Sequence, residues 1–459
     1  MVLNRYEYSE IKNDALPALW RSQSALDELQ EFLQQNWDQR AAFYTDDEKD
    51  RKQMFLQFVG SQGIKTHKYV GTIVFKGQQL NIFPRVFKTK ASDNDADNLS
   101  TKYLLNNLVK WIEYCNKLEY PYLNIASELN DSEDLKELFI TLYINYVRSA
   151  IERGVYFRYV EETEDCHSIK GKFDLKDFLT VKIPNGRSAD FRCTYSKFEF
   201  DNRLNRIIKY TCRQLYNITT PKNQRSIRMI LSRLDEVSDV QCSPHDCDGI
   251  RLGNAHKNYE IIISMSKMFL LNKMAGYSVD TNETFCFLFP TNLLFQGFIG
   301  GFMKEVMSDY GGKVKLEESK VRLVEKIMFN GKVSEPKFTM RHDILAEYKG
   351  KIIILDTKYK EISRFEKNPN YADSINEEVS QNDLYQMVTY AWKRGVKDVF
   401  LLYPMYRYEE NEPEFPVAVS ESPSGTINIH FIRLPFIFED NEEETRKKLT
   451  DVIKRIFEV

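Results

Sequence analysis

The chain has 459 residues, 42% of them hydrophobic and 13% aromatic, enough apolar material for two or three packed domains and unlike a disordered protein. Its 64 Lys and Arg against 67 Asp and Glu give a formal net charge of -3, which excludes a broad basic field; any nucleic-acid site has to be local. Seven scattered cysteines are no disulfide scaffold, and neither an apolar leader nor an apolar run long enough to span a membrane is visible, so a soluble, cytoplasmic protein is expected.

In chain order, residues 1–100 read as a β-containing region. A helix is expected near Ser24 to Trp37, then a hairpin of Tyr69 to Phe75 and Gln79 to Phe83 turning at Lys76-Gly77, and a polar loop from Lys88 to Ser100. Residues 101–282 read as mainly helical. The clearest stretches are YLLNNLVKWIEYC and the segment in which Leu135, Leu138, Phe139, Leu142 and Tyr143 share one stripe. Residues 283–459 change to an α/β pattern. FCFLFP is a short strand, Asn292 is the expected N-cap of the next helix, and KFTMRHDILAEY and KIIILDTKYK face each other across Tyr348-Lys349-Gly350. A helix from Asn382 to Trp392 closes at Gly395 before another apolar strand, VKDVFLLYP; acidic runs follow at Glu409 and Glu439.

The chemistry concentrates in the second strand of the later hairpin. Asp356 and Lys358 are two residues apart, so strand periodicity sends both to one face, and pairing with the partner strand brings Asp343 beside Asp356. Two converging carboxylates are hard oxygen ligands suited to Mg2+ with substrate phosphate oxygens, a geometry for phosphodiester hydrolysis. Lys358 is placed to orient the attacking water or to offset charge on the phosphoryl oxygens. An exposed Asp-Lys pair of this kind is usually worth under ~1 kcal/mol and means little. Here the pair ends an apolar run, Ile352 to Leu355, expected to be buried on both faces, where charge is costly without a function. On the next helix Gln386 and Tyr390 are four apart and share a face, suited to holding DNA or a water, with a core role for Tyr390 an equally natural reading. The candidate catalytic set is Asp343, Asp356, Lys358, Gln386 and Tyr390, with Asp343 and Asp356 as metal ligands.

These residues resemble the PD-(D/E)xK nuclease superfamily: Asp343, twelve intervening residues, Asp356-x-Lys358, then a helix with Gln-x3-Tyr. Within it the chain is similar to the McrC family, the nuclease subunits of McrBC 5-methylcytosine restriction systems. NIFPR, RGVYFRYVEETEDCHSIKGKFDL, EFDNRLNRIIKY, FLFPTNLLFQGFI, ILDTKYK and DLYQMVTYAW carry the likeness from about Tyr69 to Pro404. Two positions depart from the pattern: Gln296 stands where the family commonly has Glu, and His342 where the superfamily name has Pro. The resemblance implies a C-terminal PD-(D/E)xK nuclease domain preceded by a mixed β-rich, then helical, partner-binding region. It also implies Mg2+-dependent cleavage of double-stranded DNA, and pairing with a hexameric McrB-like AAA+ GTPase whose hydrolysis the subunit stimulates. A homodimer through the nuclease domain is implied as well. The chain has no Gly-x4-Gly-Lys-Ser/Thr and is not expected to bind GTP itself. A non-catalytic adaptor of an AAA+ NTPase that keeps the nuclease fold, and a LlaJI-type restriction subunit, remain as alternatives.

Other features are weaker. Cys242, His245, Cys247 and His256 fit no standard zinc spacing and read as a surface loop. Arg203, Arg206, Lys209 and Arg213 form a helical row open to phosphates, an acidic partner or plain solvent. From Gly311 to Lys360 there are 12 Lys or Arg against 7 Asp or Glu, a local excess of +5 that the tail from Leu401 to Val459, with 7 against 12, cancels.

Overall fold

The structure is a computed structural model that describes residues 2–38, 52–90, 96, 98–115, 135–250, 252–253, 256, 258–274, 285–319, 321–330, 332–334, 339–362, 379–407, 417–422, 425–439 and 442–458. The acidic run at Glu409 and much of the Lys88 to Ser100 segment lie outside them. The chain forms two compact units, one of Met1–Leu135 with Glu283–Val459, the other of Lys136–Asn282.

In the first unit two turns set the strand pairing. Lys76 and Gly77 take φ of 50° and 66°, and Lys349 and Gly350 take 48° and 79°. Two consecutive positive φ values make the tight turn whose twist matches antiparallel strands, so both expected hairpins form. The first joins β2 (Tyr69–Phe75) to β3 (Gln78–Phe83), which with β1 (Val2–Tyr6) and β4 (Phe285–Pro290) builds a sheet of order β1-β3-β2-β4. The helix expected near Ser24 is α1 (Gln23–Asp38), whose Leu26, Leu29, Phe32, Leu33 and Trp37 are buried at the spacing of one helical face.

The second hairpin joins β6 (His342–Tyr348) to β7 (Lys351–Thr357) within a six-stranded sheet. The remaining strands are β5 (Lys313–Glu318), β8 (Asp398–Pro404), β9 (Val417–Ser422) and β10 (Gly425–Leu434), in the order β5-β6-β7-β8-β10-β9. Strands β7 and β8 are parallel, so the chain must cross over between them, and the helix α4 (Gln381–Arg394) lies in that crossover. Further helices of this unit are α2 (Thr101–Tyr114), α3 (Thr291–Asp309) and α5 (Glu442–Glu458). Met387, Tyr390 and Ala391 of α4 pack with Leu345, Ile354, Val399 and Phe431 on one face of the sheet. α3 covers the opposite face: Gly300 abuts Leu316, whose cross-strand neighbour is Ile344, and Ile344 points away from Leu345. Burial of β7 holds from Ile353 to Asp356 but not at Ile352, which is 41% exposed at the hairpin end.

Helix boundaries differ slightly from expectation. α3 begins at Thr291 with Pro290 at the N-cap position, not Asn292, because the Thr291 amide and hydroxyl are both within hydrogen-bond reach of the Lys68 carbonyl. Gly297 and Gly301 let α2 close on α3, since a Cβ at Gly301 would stand 1.9 Å from the Tyr114 carbonyl oxygen and one at Gly297 2.0 Å from Cys115 Sγ.

The second unit contains helices Leu135–Arg153, Arg203–Tyr216, Pro221–Arg233 and Asn258–Met274. The expected stripe is buried at Leu138, Phe139, Leu142 and Tyr143. The helical expectation fails at Arg158–Cys166, Lys172–Phe173 and Phe191–Glu199, which form an antiparallel sheet, while Leu175–Asp177 and Phe178–Lys182 between them are helical. These strands are largely solvent-facing, so their sequence carries neither an apolar period of two nor one of 3.6. Glu137 is 9% exposed and accepts from Thr219 Oγ1, Thr220 N and Oγ1, and Asn223 Nδ2, anchoring the start of the Pro221–Arg233 helix.

Candidate active site

The register that pairs Ile344 with Leu355, continued by one residue, sets Asp343 opposite Asp356. Asp343 is held by its neighbour across the hairpin: its Oδ2 accepts from Thr357 N at 2.9 Å and from Thr357 Oγ1 at 2.7 Å. Asp356 is 2% exposed at the centre of the sheet, between the neighbours that β6 and β8 supply. Lys358 lies just past the end of β7, where its backbone N–H donates to the Leu402 carbonyl at 2.8 Å and so continues the pairing with β8. Its Nζ sits 2.7 Å from Asp356 Oδ2, which places both side chains on the same face.

Helix α4 supplies the third wall. Gln386 accepts from Lys358 Nζ at 3.2 Å through Oε1, and its Nε2 donates to Asp356 Oδ1 at 3.4 Å and to Tyr390 Oη at 2.8 Å. Tyr390 in turn donates to the Arg341 carbonyl at 2.7 Å and packs on the His342 ring at 4.5 Å, tying the helix to the start of β6. The ring of Tyr390 is thus in the core, and its hydroxyl is bonded to Gln386. The five candidate residues come together in one place.

Electrostatics mark Asp356 as the strained member. Burial first, and the adjacent Asp343 charge second, push its pKa up to about 7 against the pull of Lys358. Its Oδ2 is buried and makes no hydrogen bond of proper geometry, although the Lys358 ammonium is close. Burial disfavours the Lys358 ammonium too, but the facing Asp356 carboxylate outweighs it and holds the pKa above the ordinary lysine range. His342, in the position of the superfamily proline, is fully buried; that burial lowers its pKa, and Nδ1 lies 3.3 Å from the Glu318 carbonyl.

Two participants were not anticipated. Asp383, on α4, is 3.4 Å from Lys358 Nζ and 2.8 Å from Lys360 Nζ. Its signal was present in the spacing, because 383, 386 and 390 share one helical face. Glu7 had no such signal. It is fully buried on the segment after β1; its Oε1 accepts from Arg85 N at 3.0 Å and Tyr359 Oη at 2.7 Å, and its Oε2 from Thr291 Oγ1 at 2.7 Å. The N-terminal sheet is thereby bonded to the residue next to Lys358.

Elsewhere the structure bears on two open readings. Among the described residues no group of three or more His, Cys, Asp or Glu is arranged to hold a metal. The basic row is engaged by its own unit: Arg206 binds Asp201, Lys209 and Arg213 bind Asp239, and Arg203 donates to the His245 carbonyl. No helix among the described residues is long and apolar enough to cross a membrane.

Comparison with known proteins agrees with this architecture. The fold matches a chain of the refined half-complex from the tetradecameric assembly of Thermococcus gammatolerans McrB AAA+ hexamers with bound McrC, at TM-score 0.63 and 16% identity, covering 98% of this chain and 100% of that one. A chain of the Thermococcus gammatolerans McrBC complex aligns at TM-score 0.49 and 18% identity, covering 67% and 88%. No curated protein matches. The family model described as McrBC 5-methylcytosine restriction system component matches residues 64–404, and the chain belongs to that family.

Proposed function

We propose that this chain is the Mg2+-dependent endodeoxyribonuclease subunit of a modification-dependent restriction system, with a PD-(D/E)xK centre at Asp343, Asp356 and Lys358. The observation that carries the reading is Asp356: a carboxylate 2% exposed, facing a second carboxylate, with Oδ2 lacking a proper hydrogen bond. Such a group is costly for the fold and gains from a divalent cation. The donor set fits Mg2+, since Asp343 and Asp356 offer hard oxygens and the two Thr357 bonds fall on Asp343 Oδ2 alone.

A bound Mg2+ supplies Lewis-acid polarisation of the scissile phosphate. The chain's own residues do the rest. Lys358 brings a fixed positive charge and N–H donors to the developing charge on phosphoryl oxygens. Gln386 aims that ammonium through its Oε1, and Tyr390 holds the amide by accepting from Nε2. The local excess of cationic residues from Gly311 to Lys360 favours approach of the DNA backbone. A McrB-like AAA+ GTPase hexamer as partner is supported by the assembly whose chain shares this fold, which contains McrB AAA+ hexamers with bound McrC.

The test is Mg2+-dependent cleavage of methylated plasmid DNA, with partner and GTP present, by the wild type and by Asp356→Ala. Loss of about 100-fold or more is expected for the variant, the scale of removing one electrostatic catalytic contact. Equal cleavage by both proteins refutes the assignment.

A further inference from the structure

Lys358 has three N–H donors and three acceptors around it: Asp356 Oδ2 at 2.7 Å, Gln386 Oε1 at 3.2 Å and Asp383 Oδ1 at 3.4 Å. The shortest contact is to the oxygen that a cation on Asp356 would also seek. An ammonium and a divalent cation repel strongly at such separations, so loading the site requires Lys358 to withdraw from Oδ2. Withdrawal without another carboxylate would leave a half-buried ammonium, 18% exposed, with only the Gln386 amide.

Asp383 stands where that second carboxylate is needed. It is 12% exposed, and its two oxygens face two lysines, Oδ1 toward Lys358 and Oδ2 toward Lys360 at 2.8 Å. An acidic residue in the first turn of α4 is also favoured by the helix dipole, but that needs only the charge, not a carboxylate turned onto Lys358. Building on the metal-dependent reading above, we infer that Asp383 is a positioning residue that takes over Lys358 when a divalent cation occupies Asp356. Asp383 thus sets how readily the site is loaded and keeps Lys358 beside it afterwards.

The experiment is calorimetric titration of the full-length chain with Mn2+ alone, without DNA or partner, as a mutant cycle. With Lys358 present, Asp383→Asn weakens Mn2+ binding about tenfold, the scale of one partly buried charge-assisted contact. With Lys358→Ala in the background, the same substitution changes binding less than about twofold, because there is no ammonium left to house. Equal weakening in both backgrounds makes Asp383 a direct or long-range attractor of the cation and overturns the inference; no weakening with Lys358 present overturns it too. If Asp383→Asn does not fold, Asp383→Ser takes its place in the cycle. Asp356→Ala binding Mn2+ as tightly as the wild type is a separate result, which refutes the metal reading itself.

Discussion

Glu7 tests whether the N-terminal sheet and the segment carrying Lys358 and Tyr359 are held by one buried carboxyl. Glu7→Gln keeps an oxygen at the Oε1 position, where Arg85 N and Tyr359 Oη both donate. The new NH2 faces Thr291 Oγ1, which lies 2.9 Å from the Lys68 carbonyl and can turn its proton there while accepting from the amide. Every present donor stays paired and only the second amide hydrogen is left without a named acceptor, so the expected stability loss is about 1–2 kcal/mol. Glu7→Ala instead strands the Arg85 N–H and the Tyr359 O–H, at ~1–3 kcal/mol each, and adds a small cavity, for a loss of about 3–5 kcal/mol. Burial, outweighing the hydrogen bonds, raises the Glu7 pKa. A group raised on folding stabilises below its unfolded pKa and loses that contribution as pH rises through the folded value, so the wild type declines with pH on this account and Glu7→Gln does not. Urea unfolding followed by tryptophan fluorescence reads this unit alone, because Trp20, Trp37, Trp111 and Trp392 all belong to it. Equal losses for Ala and Gln refute the reasoning, since a network of acceptors must distinguish them.

Two further outcomes follow from the packing. Gly301→Ala sets a methyl group 1.9 Å from a backbone oxygen of α2, which cannot rotate away, so the same fluorescence assay should show a loss of about 2 kcal/mol or more. In the second unit burial works against ionised Glu137, but the hydrogen bonds from Thr219, Thr220 and Asn223 outweigh it and lower the pKa. Its stabilisation is therefore present above the unfolded carboxyl pKa and lost as pH falls through the lower folded value. The protection factors of the Pro221–Arg233 amides, corrected for the intrinsic pH dependence of exchange, should fall with acid in the wild type, while Glu137→Gln, weaker by about 1 kcal/mol, should lack that acid limb.

The legible parts of this molecule were those in which local sequence and tertiary structure ask for the same thing. Lys-Gly twice marked a tight turn, and the apolar run before Asp356 marked a central strand, so the relative placement of Asp343, Asp356 and Lys358 followed from strand geometry alone. Gln386 and Tyr390 were readable because four residues on a helix fix a face. Asp383 was overlooked although its spacing belongs to the same face, since an acid in a first turn already has an ordinary explanation in the helix dipole. Glu7 was not readable at all: its partners come from positions 85, 291 and 359, and no local pattern encodes a buried carboxyl whose donors are that far apart. The solvent-facing sheet within Arg158–Glu199 escaped for the opposite reason, as strands with little to bury leave no hydrophobic period.

Charge shows how the same residue types can mean different things. The row from Arg203 to Arg213 has the helical spacing of a phosphate-binding stripe, yet Asp201 grips Arg206 with both oxygens, at 2.7 and 2.9 Å, and its pKa is held well below the usual carboxylate range by that contact. Asp239 lies 3.1 Å from Lys209 and 2.7 Å from Arg213. Lys209 is 5% exposed and also donates to the Val237 carbonyl. A polyanion sheds its condensed counterions only when protein cations are free to neutralise its phosphates, and a phosphate here would first have to displace carboxylates of the same chain. The acids responsible come from the segment before that helix and from the segment after the Pro221–Arg233 helix, not from the helix itself, so the row looks open in sequence and is paired in the fold. Within the stretch from Gly311 to Lys360, Lys358 and Lys360 are likewise paired, with Asp356 at 2.7 Å and with Asp383 at 2.8 Å. A net charge of -3 therefore does not by itself locate the positive charge that stays open to a partner; pairing within the fold decides that.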